Sequence, residues 1–299
     1  GFALCNVIGY YAMIAEYDDM VGEYLDTLKE TGLDDNTVVI LTSDHGEMLM
    51  EKRQWYKMSA YEGSTRVPCV FAGPGVTHRG NVATLASLVD LMPTILDMAD
   101  IPLLPDLDGT SLVPLLTDGD ARADEHPDHI VSQFHGENLA MSWYMVRRGD
   151  MKYIVWGTGQ EHIPQLFNLT ADPHENQNLY DHNDHYRSMI PELDALLRET
   201  IDYPNVSLAV AKYNQEMARW WMAQNPLTWP AILNGTANAS HAGKAQLCLA
   251  NKSIGCPAGS DWGEVWQVRN DAYLAAWNDW LNSEPKVVPC PSNLTYNWD

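Results

Sequence analysis

Residues 10–45 read as one helix–turn–strand unit, and that unit ends on an acid and an imidazole. Tyr10, Ile14, Tyr17, Val21, Tyr24 and Leu28 recur at alternating spacings of four and three. That spacing keeps one face apolar and predicts an amphipathic helix over residues 10–30. Gly32 is placed to end it as a left-handed cap, and Asp34-Asp35-Asn36 reads as a turn. Residues 37–42 (TVVILT) are rich in β-branched side chains and do not alternate with polar ones. This is the pattern of a strand buried on both faces, as in a parallel sheet with helices on either side. Helix, turn and buried strand together make one unit of an α/β fold. Ligands of open α/β sheets bind beyond the carboxyl ends of strands. Asp44 and His45 stand there.

The rest of the chain divides by pattern. Residues 67–72 (VPCVFA) read as a second buried strand, closed by Gly73-Pro74-Gly75. Residues 84–98 read as a helix with a kink at Pro93. After a polar stretch at 118–128, four short strands follow closely, at 130–135, 142–148, 151–156 and 165–169. Gly149-Asp150 joins the middle two as a tight hairpin. Residues 186–200 predict a helix behind that sheet. From about residue 201 the pattern is helical and Trp-rich, through Trp220, Trp221, Trp277 and Trp280. The expected organisation is a catalytic-type α/β segment (1–117), a small antiparallel sheet with a helix (118–200) and a helical tail with glycosylation sequons (201–299).

Charge limits the partners. Lys plus Arg is 18 and Asp plus Glu is 40, a formal charge of −22. Binding to nucleic acid or an anionic membrane needs clustered cations, so this balance argues against both. An anionic substrate would need a local pocket of positive charge. At a pH near 5, most of the ten His would carry a proton, which weakens the objection to a polyanion. Residues 1–15 carry no charged side chain, yet they lack a basic n-region and are too short to span a bilayer. They read as buried structure leading into the helix. No run of about 18 apolar residues occurs elsewhere. The first residue is Gly rather than Met, so the chain is expected to be processed, cut or partial.

Sequons at Asn168, Asn205, Asn234, Asn238, Asn251 and Asn293 favour a glycosylated, exported protein. Cys5 and Cys69 sit in apolar runs and read as buried thiols. Cys248 and Cys256 frame a short loop that a disulfide could close, with Cys290 left over. None of these spacings is a zinc pattern.

The chemistry concentrates in residues 41–68, LTSDHGEMLMEKRQWYKMSAYEGSTRVP. Asp44 supplies hard oxygen for Ca²⁺ or Mg²⁺, and His45 extends the choice to Zn²⁺. Gly46 lets the backbone pass close to an ion. A second reading makes Asp44 a helix cap and His45 its neighbour. Lys52, Arg53 and Lys57, three of 18 basic residues within six positions, read as an anion pocket or as a solvated basic face. His135, in QFHG, reads as a pocket residue or as an ordinary strand-end histidine.

TSDHGE, then Lys57 twelve residues beyond His45, then YEGSTRVP and FAGPGV, resemble the second half of a sulfatase of the alkaline-phosphatase superfamily. SLVDLMPTILDMADI and LFNLTADPHENQNL resemble later elements of the same family, so the likeness covers about residues 8–200. It implies part of an alkaline-phosphatase-like α/β sandwich, hydrolysis of a sulfate ester and one Ca²⁺ ion. It also implies a formylglycine nucleophile. Asp44 and His45 fall on its metal-ligand pair, and Lys57 on its sulfate-binding lysine. Beside that resemblance, Arg53 of the basic cluster and His135 are expected as further substrate contacts. Many sulfatases carry Asn where this chain has His45, so Asp44 is the firmer ligand. A closer likeness within the family, in EKRQWYKMSAYE, SQFHGEN, IPQLFNL and IDYPNVSLAVAKYN, extends almost to the C-terminus. That likeness implies the 2-O-sulfate of a uronic acid in a glycosaminoglycan, and a secreted or lysosomal protein.

No Cys or Ser of the 299 residues stands in a C/S-x-P-x-R motif, the source of formylglycine. The expectation is a chain that starts inside the catalytic domain and is inactive alone. Two other readings stay open. One is a zinc phosphodiesterase or phosphatase of the same superfamily. The other is a sulfated-glycan binder without catalysis.

Overall fold

The computed structural model describes residues 2–135, 142–224, 279 and 282–284. Trp277, Trp280, the Cys248–Cys256 loop, Cys290 and the sequons at Asn234, Asn238, Asn251 and Asn293 lie outside the described residues. The fold is α/β, with antiparallel strand pairing and helices. It divides into two units. The first holds residues 1–131, 147–151 and 169–176, and the second holds 132–146, 152–168 and 177–299.

The first unit opens with α1 (Phe2–Thr31). It begins eight residues before the apolar periodicity does, so the stretch expected as buried lead-in is itself helix. Gly32 ends it at φ +66°. Its N–H reaches the Lys29 carbonyl (3.1 Å) and the Leu33 N–H reaches Leu28 (2.9 Å), closing the last turn as expected of a left-handed cap. The face read as packed is largely open. Ile14, Tyr17 and Tyr24 are exposed, and so is Cys5. Periodicity tells which face can pack but does not supply the surface that covers it.

A short 3₁₀ turn, Asp34–Asn36, leads to β1 (Val39–Thr42). It pairs with β2 (Cys69–Ala72) in antiparallel register, Val39 opposite Ala72 and Thr42 opposite Cys69. This corrects the parallel, doubly buried arrangement. β1 is only half-buried, and Cys69 and Val70 of β2 are exposed rather than core. The apolar run sets a strand here, while the number of covered faces depends on layers that no local pattern encodes. Between these strands lies the single turn α2 (Glu62–Thr65). α3 (Leu91–Met98) follows a Ser87–Asp90 capping box. Pro93 lies in its first turn, where no intrahelical N–H bond is lost, so no kink arises there. α4 (Val113–Asp118) follows and runs into a 3₁₀ stretch, Gly119–Glu125.

β3 (His129–Phe134), β4 (Trp143–Arg148), β5 (Met151–Trp156) and β6 (Gln165–Asn168) form one sheet in chain order. Each lies within a residue or so of its expected bounds. Gly149 takes φ +54° at the β4–β5 turn, where a side chain would be strained. The sheet carries the second unit's core, including Tyr144, Ile154, Val155 and Phe167. α5 (Asp184–Thr200) starts at Asn183, whose side chain accepts the Tyr186 N–H, and buries Leu193 and Leu197. α6 (Tyr203–Gln224) follows after two residues.

The junction of α5 and α6 is fixed by Asp194. Its carboxylate accepts the Tyr203 hydroxyl at 2.8 Å, the Tyr153 hydroxyl at 3.3 Å and the Arg198 Nε–H at 2.6 Å. Arg198 also stacks on the Tyr203 ring at 4.3 Å. Burial, together with this carboxylate, pushes both phenols far above their ordinary range, so they act as neutral donors. Asp194→Ala leaves these donors without their shared acceptor. It is expected to cost about 1–3 kcal/mol, read as a lowered Tm, with Asp194→Asn costing less.

Candidate active site

The chain turns directly after β1 through Ser43, Asp44 and His45. Asp44 Oδ1 accepts the His45 backbone N–H at 3.0 Å, and Ser43 Oγ lies 3.4 Å from the same oxygen. Partial desolvation tends to raise the Asp44 carboxyl. The His45 N–H and ring outweigh it, helped by Ser43, and hold it below the usual carboxylate range. The Asp44 side chain is 82% exposed, and no helix starts directly after it for it to cap.

His45 has both ring nitrogens engaged. Nδ1 lies 2.9 Å from the Gly46 carbonyl, which can only accept, so Nδ1 carries the proton. In the neutral ring, Nε2 is then a lone pair, and it faces Asp44 Oδ2 at 3.2 Å. Two acceptors that converge this closely call for a cation between or beside them, a proton or a metal ion. The pair therefore fits one arm of a coordination sphere. It does not make a whole one, since Ca²⁺ takes six to eight oxygens. No group of three or more acidic, His or Cys side chains converges among the described residues.

The turn past His45 is held from α2. The Gly46 N–H donates to the Ser64 carbonyl at 2.8 Å. A Cβ on Gly46 would stand 2.1 Å from the Gly63 carbonyl oxygen, so the close approach that Gly46 permits is to α2. Ser64 is buried, and its Oγ donates to the Lys57 carbonyl at 2.6 Å. One residue thus ties the backbone beside the Asp44–His45 pair to the backbone of Lys57. Lys57 and Arg53 are exposed, and neither side chain has a partner among the described residues.

Lys52 departs from the expected anion cluster. Its ammonium donates to the Glu175 carbonyl at 2.7 Å and to Asn176 Oδ1 at 2.9 Å, and lies 5.6 Å over the Tyr61 ring. It is a tether, and the free cations are Arg53 and Lys57. Glu175 is itself buried, and its Oε2 accepts the Glu62 N–H at the start of α2 at 2.7 Å. Neither Ser64 nor Glu175 stands out in the sequence, where the YEGS and DPHEN segments that contain them are the only signal.

His135 belongs to the second unit, just past β3. Its Nδ1 lies 2.7 Å from Ser142 Oγ and its Nε2 3.0 Å from Gln133 Oε1. Partial desolvation lowers its pKa below the ordinary histidine value.

The sulfatase family model matches residues 6–101. Residues 6–101 belong to the sulfatase family. The match spans α1 from residue 6 onward, β1, α2, β2 and every site residue of the first unit except the Glu175–Asn176 pair. Chicken (Gallus gallus) arylsulfatase K is 44% identical over 216 residues, which are 71% of this chain and 40% of the relative. The chain spans about two fifths of the length of the curated relatives it matches. Among solved structures, a 2-O GAG sulfatase is 30% identical with a TM-score of 0.56, over 62% of this chain and 41% of that one. A phosphonate monoester hydrolase of Agrobacterium radiobacter is 28% identical with a TM-score of 0.54, over 65% and 41%.

In this sulfatase segment Gly46 has no space for a side chain. Gly46→Ala is expected to force α2 and the Asp44–His45 turn apart, at a cost of about 1–3 kcal/mol. A lowered Tm checks it, and an unchanged Tm contradicts the contact.

Proposed function

We propose that the chain is part of a sulfuric ester hydrolase that acts on a sulfated sugar, and that its substrate carries a 2-O-sulfate on a uronic acid of a glycosaminoglycan. The observation that carries this reading is the tie through Ser64 between the Asp44–His45 turn and Lys57, in a segment of the sulfatase family. The 2-O position rests on the likeness to arylsulfatase K and to a 2-O GAG sulfatase.

Lys57 and Arg53 supply two uncompensated cations in a chain of net charge −22. Lys57 pairs with sulfate oxygens, both in the bound ester and as charge builds on the leaving oxygen. Arg53 offers a planar fork suited to a sulfate or to the uronate carboxylate. Asp44 would hold a Ca²⁺ ion, with His45 beside it. When bound, that ion supplies positive charge for the sulfate oxygens. The residues that hold it are fixed by Ser43, Gly46 and Ser64. No nucleophile is assigned to this chain, because no Cys or Ser stands in the formylglycine motif. The sequons favour a secreted or lysosomal setting, and in the lysosomal case an acidic pH suits polyanion binding. Asn205 Nδ2 is held by the Asp202 carboxylate at 2.7 Å in the first turn of α6.

The phosphonate monoester hydrolase carries a similar fold, which favours a second reading in which phosphorus replaces sulfur at the reacting centre. The full-length protein should be assayed at acidic pH on 2-O-sulfated uronate disaccharides, 6-O-sulfated glucosamine disaccharides and a phosphonate monoester. Turnover of the first is expected to dominate, and turnover of the phosphonate alone would replace this reading with the second. Lys57→Ala is expected to lower kcat/KM by roughly 10²–10³-fold. Wild-type kinetics in that variant would remove Lys57 from the site.

A further inference from the structure

The loop from residue 49 to 56 is unusual in its backbone. Five of its eight residues, none of them glycine, have φ between +44° and +72°: Leu49, Met50, Lys52, Arg53 and Tyr56. Each such conformation is disfavoured for an L-residue and persists only where surrounding contacts over-determine it. The loop lies between the Asp44–His45 turn and Lys57, so its shape sets where Lys57 begins.

Three kinds of contact hold it. Met48 is fully buried, with Ser59 Oγ 3.5 Å from its sulfur, and it anchors the loop's start. Backbone bonds run from the Met48 N–H to the Tyr56 carbonyl (2.8 Å) and from the Met50 N–H to the Gln54 carbonyl (2.8 Å). The third is the Glu47 carboxylate. Its Oε1 accepts the Leu49 N–H at 3.1 Å and the Tyr56 N–H at 2.5 Å. One oxygen thus joins the loop's first and last residues. Both backbone groups of Tyr56 are held, the N–H by Glu47 and the carbonyl by Met48, and the next residue is Lys57.

We propose that Glu47 is a positioning residue for Lys57, closing the loop so that the lysine backbone is fixed from both sides, by Glu47 through Tyr56 and by Ser64 directly. It touches no substrate and acts through Lys57. The catalytic consequence rests on the sulfatase reading above, whereas the closure of the loop does not.

Two measurements separate the parts. Amide hydrogen exchange in the chain as it stands reads the closure: Glu47→Ala is expected to speed exchange at Tyr56 by roughly tenfold or more, because the N–H loses its acceptor. Glu47→Gln, which keeps an amide oxygen at that position, is expected to restore most of the protection. Unchanged exchange at Tyr56 in Glu47→Ala overturns the proposal. A double-mutant cycle in the full-length protein reads the coupling, with sulfate-ester hydrolysis as the assay. Glu47→Ala is expected to lower kcat/KM by roughly 10–100-fold in the wild-type background and hardly at all in Lys57→Ala. Equal losses in both backgrounds mean that Glu47 does not act through Lys57, and overturn the positioning role. If the wild-type protein hydrolyses no sulfate ester, the sulfatase reading fails and the exchange data still decide the closure. The cycle is then run on binding of inorganic sulfate, with the same additive outcome counting against the proposal.

Discussion

Ser64 uses its two polar groups on two different stretches of chain. Its carbonyl takes the N–H of Gly46 and its hydroxyl donates to the carbonyl of Lys57. Ser64 is buried and both bonds are at least partly shielded, and an unmet buried polar group costs free energy comparable to a lost hydrogen bond. The Asp44–His45 turn and the Lys57 backbone therefore cannot move independently without leaving a polar group unpaired. The missing side chain of Gly46 makes the arrangement possible, since the turn sits directly against the Gly63 carbonyl. Everything assigned to this face, from the converging acceptors of Asp44 and His45 to the exposed ammonium of Lys57, depends on that knot. α2 has only four residues and no side-chain cap of its own. It is kept in place by the buried carboxylate of Glu175, which receives its first N–H.

What the sequence disclosed was what is encoded locally. The Gly32 cap, the four-stranded meander and its Gly149 turn each depend on a few adjacent residues, and each was found close to its expected place. The Asp44–His45 pair stood out because it follows a strand directly. Lys57 stood out because cations are scarce here. The errors share one cause, which is partners distant in sequence. Lys52 looked like its neighbour Lys57 until Glu175 and Asn176 took its ammonium, 123 and 124 positions away. TVVILT was read correctly as a strand, but its antiparallel partner and half-open faces follow from long-range pairing. Ile14, Tyr17 and Tyr24 lie on the face that periodicity marked, without a cover among the described residues.

The two units hold their polar groups in contrasting ways. In the second, Asp194 gathers two phenols and a guanidinium at the point where α5 gives way to α6. The charge is local, matched and tied to the surrounding core. In the first, the loop ahead of Lys57 takes five disfavoured backbone conformations and holds them with single, specific bonds. A segment built that way is rigid only while each bond is made. It places the exposed cations Arg53 and Lys57 on a frame with little slack.

The tether from Lys52 to Glu175 also fixes an order in time. A chain made from its N-terminus exposes residue 52 well before residues 175 and 176. At about 5–20 residues per second, the interval for 123 residues is roughly 6–25 s. Within that interval α1, β1, β2 and the Asp44–His45 turn can form once made, while Lys52 and the first N–H of α2 wait for their acceptors. The contacts of Lys52 and of the first turn of α2 are therefore completed late in synthesis. A nascent chain halted before residue 176 would carry the site's residues without the contacts that shape them.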